Sequence, residues 1–170
     1  MDRPAGSDDA PRQEAARAGL TLERVLRVLL CFVGAAPFLA PFARRVMSPE
    51  AGELLYLLFA PVCHLKPERT LALAGVLMPL CSRCAGIFAG FITAGMFPRP
   101  RWSVRACLGY GFVASVIMLA DVITQDLRLR PLFHPARLVT GVLWGHVFAL
   151  GILAIAREHL ARPARVTSSA

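Results

Sequence analysis

The chain has 170 residues, of which 56% are hydrophobic and only 18% charged, with a formal net charge of +8. A soluble domain carries about a quarter charged residues, and none of this size hides four separate apolar stretches of near-spanning length, so the composition excludes an ordinary soluble fold. The basic residues do not gather into a patch; they punctuate the ends of apolar stretches, which points to lipid headgroups as their partner and away from nucleic acid. A mean hydropathy of +0.55 agrees.

Residues 1–23 are polar and mixed in charge and are expected to form a disordered tail. A cleavable signal peptide has a short basic start and a short apolar core. The first apolar stretch here is long, late and interrupted by Pro37 and Pro41, so it reads as an uncleaved helix. That first span is expected over 25–42, between Arg24 and Arg27 at its start and Arg44 and Arg45 beyond its end. Two shorter apolar runs follow, Leu54–Val62 and Leu71–Met78, expected as interfacial or re-entrant helices on one membrane face. Further spans are expected over 80–97, 104–123 and 138–156. Each is long enough for roughly 30 Å of hydrocarbon at about 1.5 Å per residue. The fold class is thus an all-α integral membrane bundle of four transmembrane helices, one domain over 24–160, with a second disordered tail over 161–170.

Small residues recur at every fourth position in three spans: Gly86, Gly90 and Ala94; Cys107, Gly111 and Ser115; Gly141, Gly145 and Ala149. That spacing stacks them on one helix face, where backbones approach closely, so the last three helices are expected to pack tightly. Slightly more arginines fall on the side of the N-terminus, which favours a cytoplasmic N-terminus in a bacterial inner membrane.

Whatever the orientation, the residues with chemistry share one face. Cys63 and His64 precede a polar turn, Cys81 and Cys84 open the second span, Asp121, Thr124 and Gln125 close the third, and His134 and Arg137 lead into the fourth. Cys81-x-x-Cys84 suits zinc or another transition metal, because two thiolates so spaced can chelate one ion, with Cys63 and His64 supplying further ligands. The same pair also suits redox chemistry. A helix start after Pro79, with Arg83 adjacent, stabilises thiolate, and Cys63 is available as an exchanging third thiol. Cys31 and Cys107 stand alone in apolar spans and read as packing residues. Asp121 is costly inside a membrane unless paired, and Arg69, Arg83 and Arg137 are its candidate partners, with Gln125 on the same helix face. His146 lies mid-span, as a packing or a functional residue.

Several of these residues form a recognisable set: Cys63-His64, Pro67, Arg69 and Thr70, then Met78-Pro79-Leu80-Cys81, Arg83, Cys84, Gly86 and Ile87. With Asp121, Thr124, Gln125, Arg137, Thr140 and Gly141, the stretch 50–155 resembles a family of small bacterial membrane proteins, domain of unknown function 2085. Leu65 and Val122 depart from the family pattern, which has a polar residue after the histidine and a glycine after the aspartate. The resemblance implies the membrane class and the site positions and carries no activity.

Three readings follow. The first is a metal site of Cys63, His64, Cys81 and Cys84, with Arg69, Arg83, Asp121, Gln125 and Arg137 in support. The second is a thiol–disulfide oxidoreductase using Cys81, Cys84 and Cys63, coupled to a quinone. The third is a transporter or assembly subunit using Asp121 and His146 along a polar path.

Overall fold

Hydrophobic segments that must satisfy their own backbone polar groups fold as helices, and the computed structural model, which describes residues 9–63, 66–98 and 101–166, is built from five of them. Helix α1 runs from Asp9 to Val46 and α2 from Pro49 to Leu57. Strands β1 (Thr70–Leu73) and β2 (Val76–Cys81) form a hairpin, followed by α3 (Ser82–Met96), α4 (Val104–Asp126) and α5 (His134–Val166). Ser48 and Ser103 cap α2 and α4, each hydroxyl accepting from the backbone N–H three residues on, at 3.4 and 3.3 Å.

Among the described residues three helical segments are long and apolar enough to cross a membrane: Gly19–Val46, Val104–Asp126 and His134–His159. Their outward side chains are those of a lipid-facing surface: Phe32 is 75% exposed, Phe112 71% and Leu108 69%. The expected second span differs. Its first residues, Leu80 and Cys81, belong to β2, and the fifteen residues of α3 extend only about 22 Å. This short helix is sheltered between α1 and α5 rather than set out in lipid. Helix α1 begins at Asp9, inside the expected polar tail, and α5 runs on to Val166, inside the other.

The all-α expectation is corrected by the hairpin. Leu71–Met78, read as a short helix, is two antiparallel strands with Ala72 opposite Leu77 and Leu73 opposite Val76. The turn residues Ala74 and Gly75 have φ of 53° and 78°, the left-handed pair that a two-residue hairpin turn requires. Pro79 has no N–H to give an α-helix, so the run breaks on both sides. The end of α1 and α2 hold the hairpin in place. Arg45 donates to the Ala74 carbonyl, and Tyr56 Oη donates to the Leu77 carbonyl at 2.6 Å, with Arg44 4.5 Å over the Tyr56 ring.

Two of the three small-residue stripes meet. A Cβ on Gly90 would lie 2.5 Å from the His146 nitrogen and 2.6 Å from the Val142 oxygen. One on Gly86 would strike the Leu138 carbonyl, one on Gly141 that of Arg83, and one on Gly145 that of Ile87. Helices α3 and α5 therefore run parallel with their backbones in contact. On its other side α3 lies antiparallel to α1, where a Cβ on Gly34 would lie 2.7 Å from the Phe88 carbonyl. The stripe in α4 is looser. A Cβ on Gly111 would meet only Val147, at 3.7 Å, and Ser115 accepts from Trp144 Nε1 at 3.0 Å. At the end of the bundle far from the hairpin, Arg27 donates to the Ala94 and Phe97 carbonyls at 2.9 Å each, closing the C-terminus of α3.

The difference between the stripes is measurable. Gly90→Ala should lower stability by about 1–3 kcal/mol through overpacking. Gly109→Ala, on α4 with nothing near its Cβ, should be neutral or slightly stabilising. Unfolding of the detergent-solubilised variants checks both, and equal losses would contradict the packing described.

Candidate metal centre

The hairpin end of the bundle collects three sulfur atoms. A series of turns after α2, closing with the Cys63 N–H on the Phe59 carbonyl at 3.2 Å, brings Cys63 back towards the bundle. Cys81 ends β2 and caps α3 with extended backbone (φ −67°, ψ 160°), and Cys84 lies in the first turn of α3. The sulfurs of Cys63, Cys81 and Cys84 all lie within 4.8 Å of one another. The Cys81 N–H donates to Cys63 Sγ at 3.2 Å, and Cys84 Sγ–H donates to the Val62 carbonyl at 3.7 Å. All three are free thiols. The Cys84 thiol, the Cys63 thiol and the N–H groups of Cys84 and Arg83 all favour a thiolate at Cys81, and they outweigh burial to pull it down to about 4.

A ring of cations stands beside the sulfurs. Lys66, Arg69, Arg83 and Arg137 line a cleft of about 290 Å³ together with the three cysteines. Arg137 is 1% exposed and Asp121 5%. Asp121 is ion-paired to both Arg83 and Arg130. Gln125 Oε1 accepts from Arg83 at 3.4 Å and Arg137 at 3.3 Å, and Asp126 lies 3.7 Å from Arg69. Arg130 reaches Asp121 because α4 ends in a reversed turn. Arg128 has a φ of 55°, the Leu129 N–H donates to the Thr124 carbonyl at 3.0 Å, and Arg130 Nε then donates to Thr124 Oγ1 at 3.1 Å.

The structure thus brings together Cys63, Cys81, Cys84, Arg69, Arg83, Asp121, Gln125 and Arg137 at one end of the bundle. His64, expected as a ligand, lies outside the described residues, as does Leu65. His146 is apart from this group, with its Nδ1 2.8 Å from Thr93 Oγ1 between α5 and α3. Cys31 and Cys107 are also apart, the first donating to the Ile92 carbonyl at 3.8 Å and the second within the apolar core. Two site residues were not singled out from sequence, Lys66 and Arg130. The dipeptide repeat Leu127-Arg128-Leu129-Arg130 after an apolar span with a buried aspartate was the available signal for the second.

A model of the family described as "Predicted membrane protein (DUF2085)" matches residues 63–151. An uncharacterised protein of Methanocaldococcus jannaschii is 30% identical over 113 residues, covering 59% of this chain and 67% of its own. An uncharacterised protein of Methanothermobacter thermautotrophicus is 32% identical over 106 residues, 60% of this chain and 92% of its own. Both relatives are archaeal, so the matches do not support a specifically bacterial family. No solved structure matches the chain. The match and the three apolar helices together make this a multi-pass membrane protein.

Two outcomes test the site's electrostatics. Asp121→Asn removes the carboxylate that two guanidinium groups share and should cost about 3 kcal/mol in detergent unfolding. Arg130→Gln, in which the lost side chain is 35% exposed, should cost less. In metal-free reduced protein, Cys81 should be alkylated by iodoacetamide at nearly the same rate at pH 6 and pH 8, since its thiolate persists down to about pH 4. An ordinary thiol slows about tenfold per unit below its pKa of roughly 8.5. A tenfold fall at Cys81 between pH 7 and pH 6 would contradict the assigned thiolate.

Proposed function

We propose that this chain, which belongs to the DUF2085 family of predicted membrane proteins, holds a transition-metal ion, most simply zinc, on Cys63, Cys81 and Cys84 at one membrane face. The observation that carries the reading is three sulfurs within 4.8 Å, one already accepting a backbone N–H. Zinc–sulfur bonds of about 2.3 Å place tetrahedral sulfurs about 3.8 Å apart, so a modest closing of the cluster suffices. Hydrogen bonds to a coordinated sulfur orient it and temper its basicity. A Cys81 thiol that gives up its proton easily favours the charged form that a metal needs.

Three thiolates leave one position on a tetrahedral ion. His64, beside Cys63 in the chain, is our fourth ligand in a closed site, and an exogenous group takes that place in an open one. Asp121 is not a ligand in this reading, because Arg83 and Arg130 already hold its carboxylate. Its part is to fix Arg83 next to the sulfurs. In the membrane, α3 carries the chain across as a fourth, short crossing sheltered by α1 and α5, with the N-terminal end cytoplasmic.

A second reading rests on the lowered Cys81 proton affinity and the reach of three thiols. Here Cys81 and Cys84 form a disulfide, giving two protons and two electrons to an acceptor such as a quinone. Metal analysis of purified protein separates the two. The metal reading expects about one zinc per chain, lost in Cys63→Ser and Cys81→Ser and kept in Cys107→Ser. Metal content unchanged in Cys81→Ser sinks it. A metal-free protein with a Cys81–Cys84 bond that cycles in cells supports the redox reading instead.

A further inference from the structure

We propose that the cleft beside the sulfur cluster is a binding site for a phosphate-class oxyanion, held by Arg69, Arg83 and Arg137 with Lys66 at the side. The site shares its cleft with the three sulfurs but is built from the cationic side chains, and it stands whether or not a metal is bound there. Its first support is a charge imbalance that the protein's own groups do not resolve. Among the described residues four cations line the cleft and no carboxylate does. Asp121 and Asp126 hold Arg83 and Arg69 from outside the cleft, and Asp121 is shared with a fifth cation, Arg130. Arg137 lines that cleft alongside Arg83, Arg69 and Cys81. Like charges this close in a medium of low dielectric repel strongly unless an anion lies between them. The sulfurs do not supply enough charge. Three thiolates on a divalent ion leave one net negative charge against four cations.

The second support is donors without acceptors. Arg137 is 1% exposed, and among the described residues neither its buried Nε–H nor that of Arg83 has a partner. Buried guanidinium N–H groups normally find an acceptor, so two orphans on residues that line one cleft point to missing acceptor atoms beside it. Arg69 offers a third guanidinium, 3.7 Å from an exposed Asp126 and on the lining of the same cleft.

The third support is shape. Donors arriving from three separate guanidinium groups suit a tetrahedral oxyanion, whose oxygens point in different directions. A carboxylate offers two oxygens in one plane. At about 290 Å³ the cleft is larger than a bare phosphate ion and leaves room for an ester substituent. It opens at the end of the bundle where α1 and α4 finish and α3 and α5 begin, so soluble phosphate and the phosphate of a lipid headgroup share the chemistry and are both sources.

The test uses the full chain in phosphatidylcholine nanodiscs and radiolabelled inorganic phosphate. Saturable binding is expected, weakened about tenfold or more in Arg69→Gln and in Arg137→Lys. It should be unchanged in Arg105→Gln, an exposed residue at the opposite end. Because Arg137 is buried and its variant is liable to misfold, the half-buried Arg69 is the deciding position. Repeating the measurement in discs that contain phosphatidic acid separates the sources. Loss of phosphate binding by competition assigns the headgroup, and unaltered binding assigns the soluble ion. No saturable binding of either, or binding that Arg69→Gln leaves intact, overturns the proposal. Cys63→Ser tells this site from the metal. Phosphate binding kept after metal is lost supports the arginine site, whereas phosphate binding lost along with the metal makes the anion a metal ligand and overturns it.

Discussion

Helices α3 and α5 touch backbone to backbone through Gly86, Gly90, Gly141 and Gly145, and almost every other placement in the molecule follows from that contact. In a bilayer no hydrophobic force drives helices together, so association rests on close packing, which side chains at these positions would prevent. Because the helices run parallel in this register, the start of α3 lies against the start of α5. The carbonyl of Arg83 sits over Gly141, and the first turns of the two helices bring Cys84 and Arg83 within reach of Arg137. The same contact shelters a helix only fifteen residues long, which by itself is too short for roughly 30 Å of hydrocarbon.

The site adds a second constraint, the distribution of charge around three sulfurs. Asp121, 5% exposed, is shared by two guanidinium groups, and Gln125 ties the neighbouring Arg137 to the same cluster. The hairpin closes the other side. Its turn is held by Arg45 and its second strand by Tyr56, so β2 delivers Cys81 to Cys63 at a fixed distance. A metal bound there joins the end of α2, the hairpin and α3. An anion in the adjoining cleft joins those elements to α5.

Local sequence misled where two conformations compete for the same apolar residues. The run from Leu71 to Met78 has the composition of a short helix, yet Ala74 and Gly75 take positive φ in a two-residue turn and Pro79 cannot donate, and the run forms two strands. Leu80 and Cys81 read as the opening of a span because hydropathy does not distinguish a buried strand from a helix. Arg130 escaped notice for a different reason. Its role depends on the reversed turn at Arg128, and a non-glycine residue in that conformation has no clear mark in the sequence.

Hydrocarbon burial adds up residue by residue along a chain, so the membrane class, the three long apolar helices and the small-residue faces of α3 and α5 were all legible from the sequence alone. The convergence of Cys63, Cys81, Cys84, Asp121 and Arg137 was legible too, because the order and direction of the helices between them place each at the same end. Which cation pairs with Asp121, which sulfur accepts the Cys81 N–H, and which stripe packs tightly were decided only by the tertiary structure. Those outcomes depend on distances of a few ångströms between segments far apart in the chain, set by helix register and by the turns that end each element.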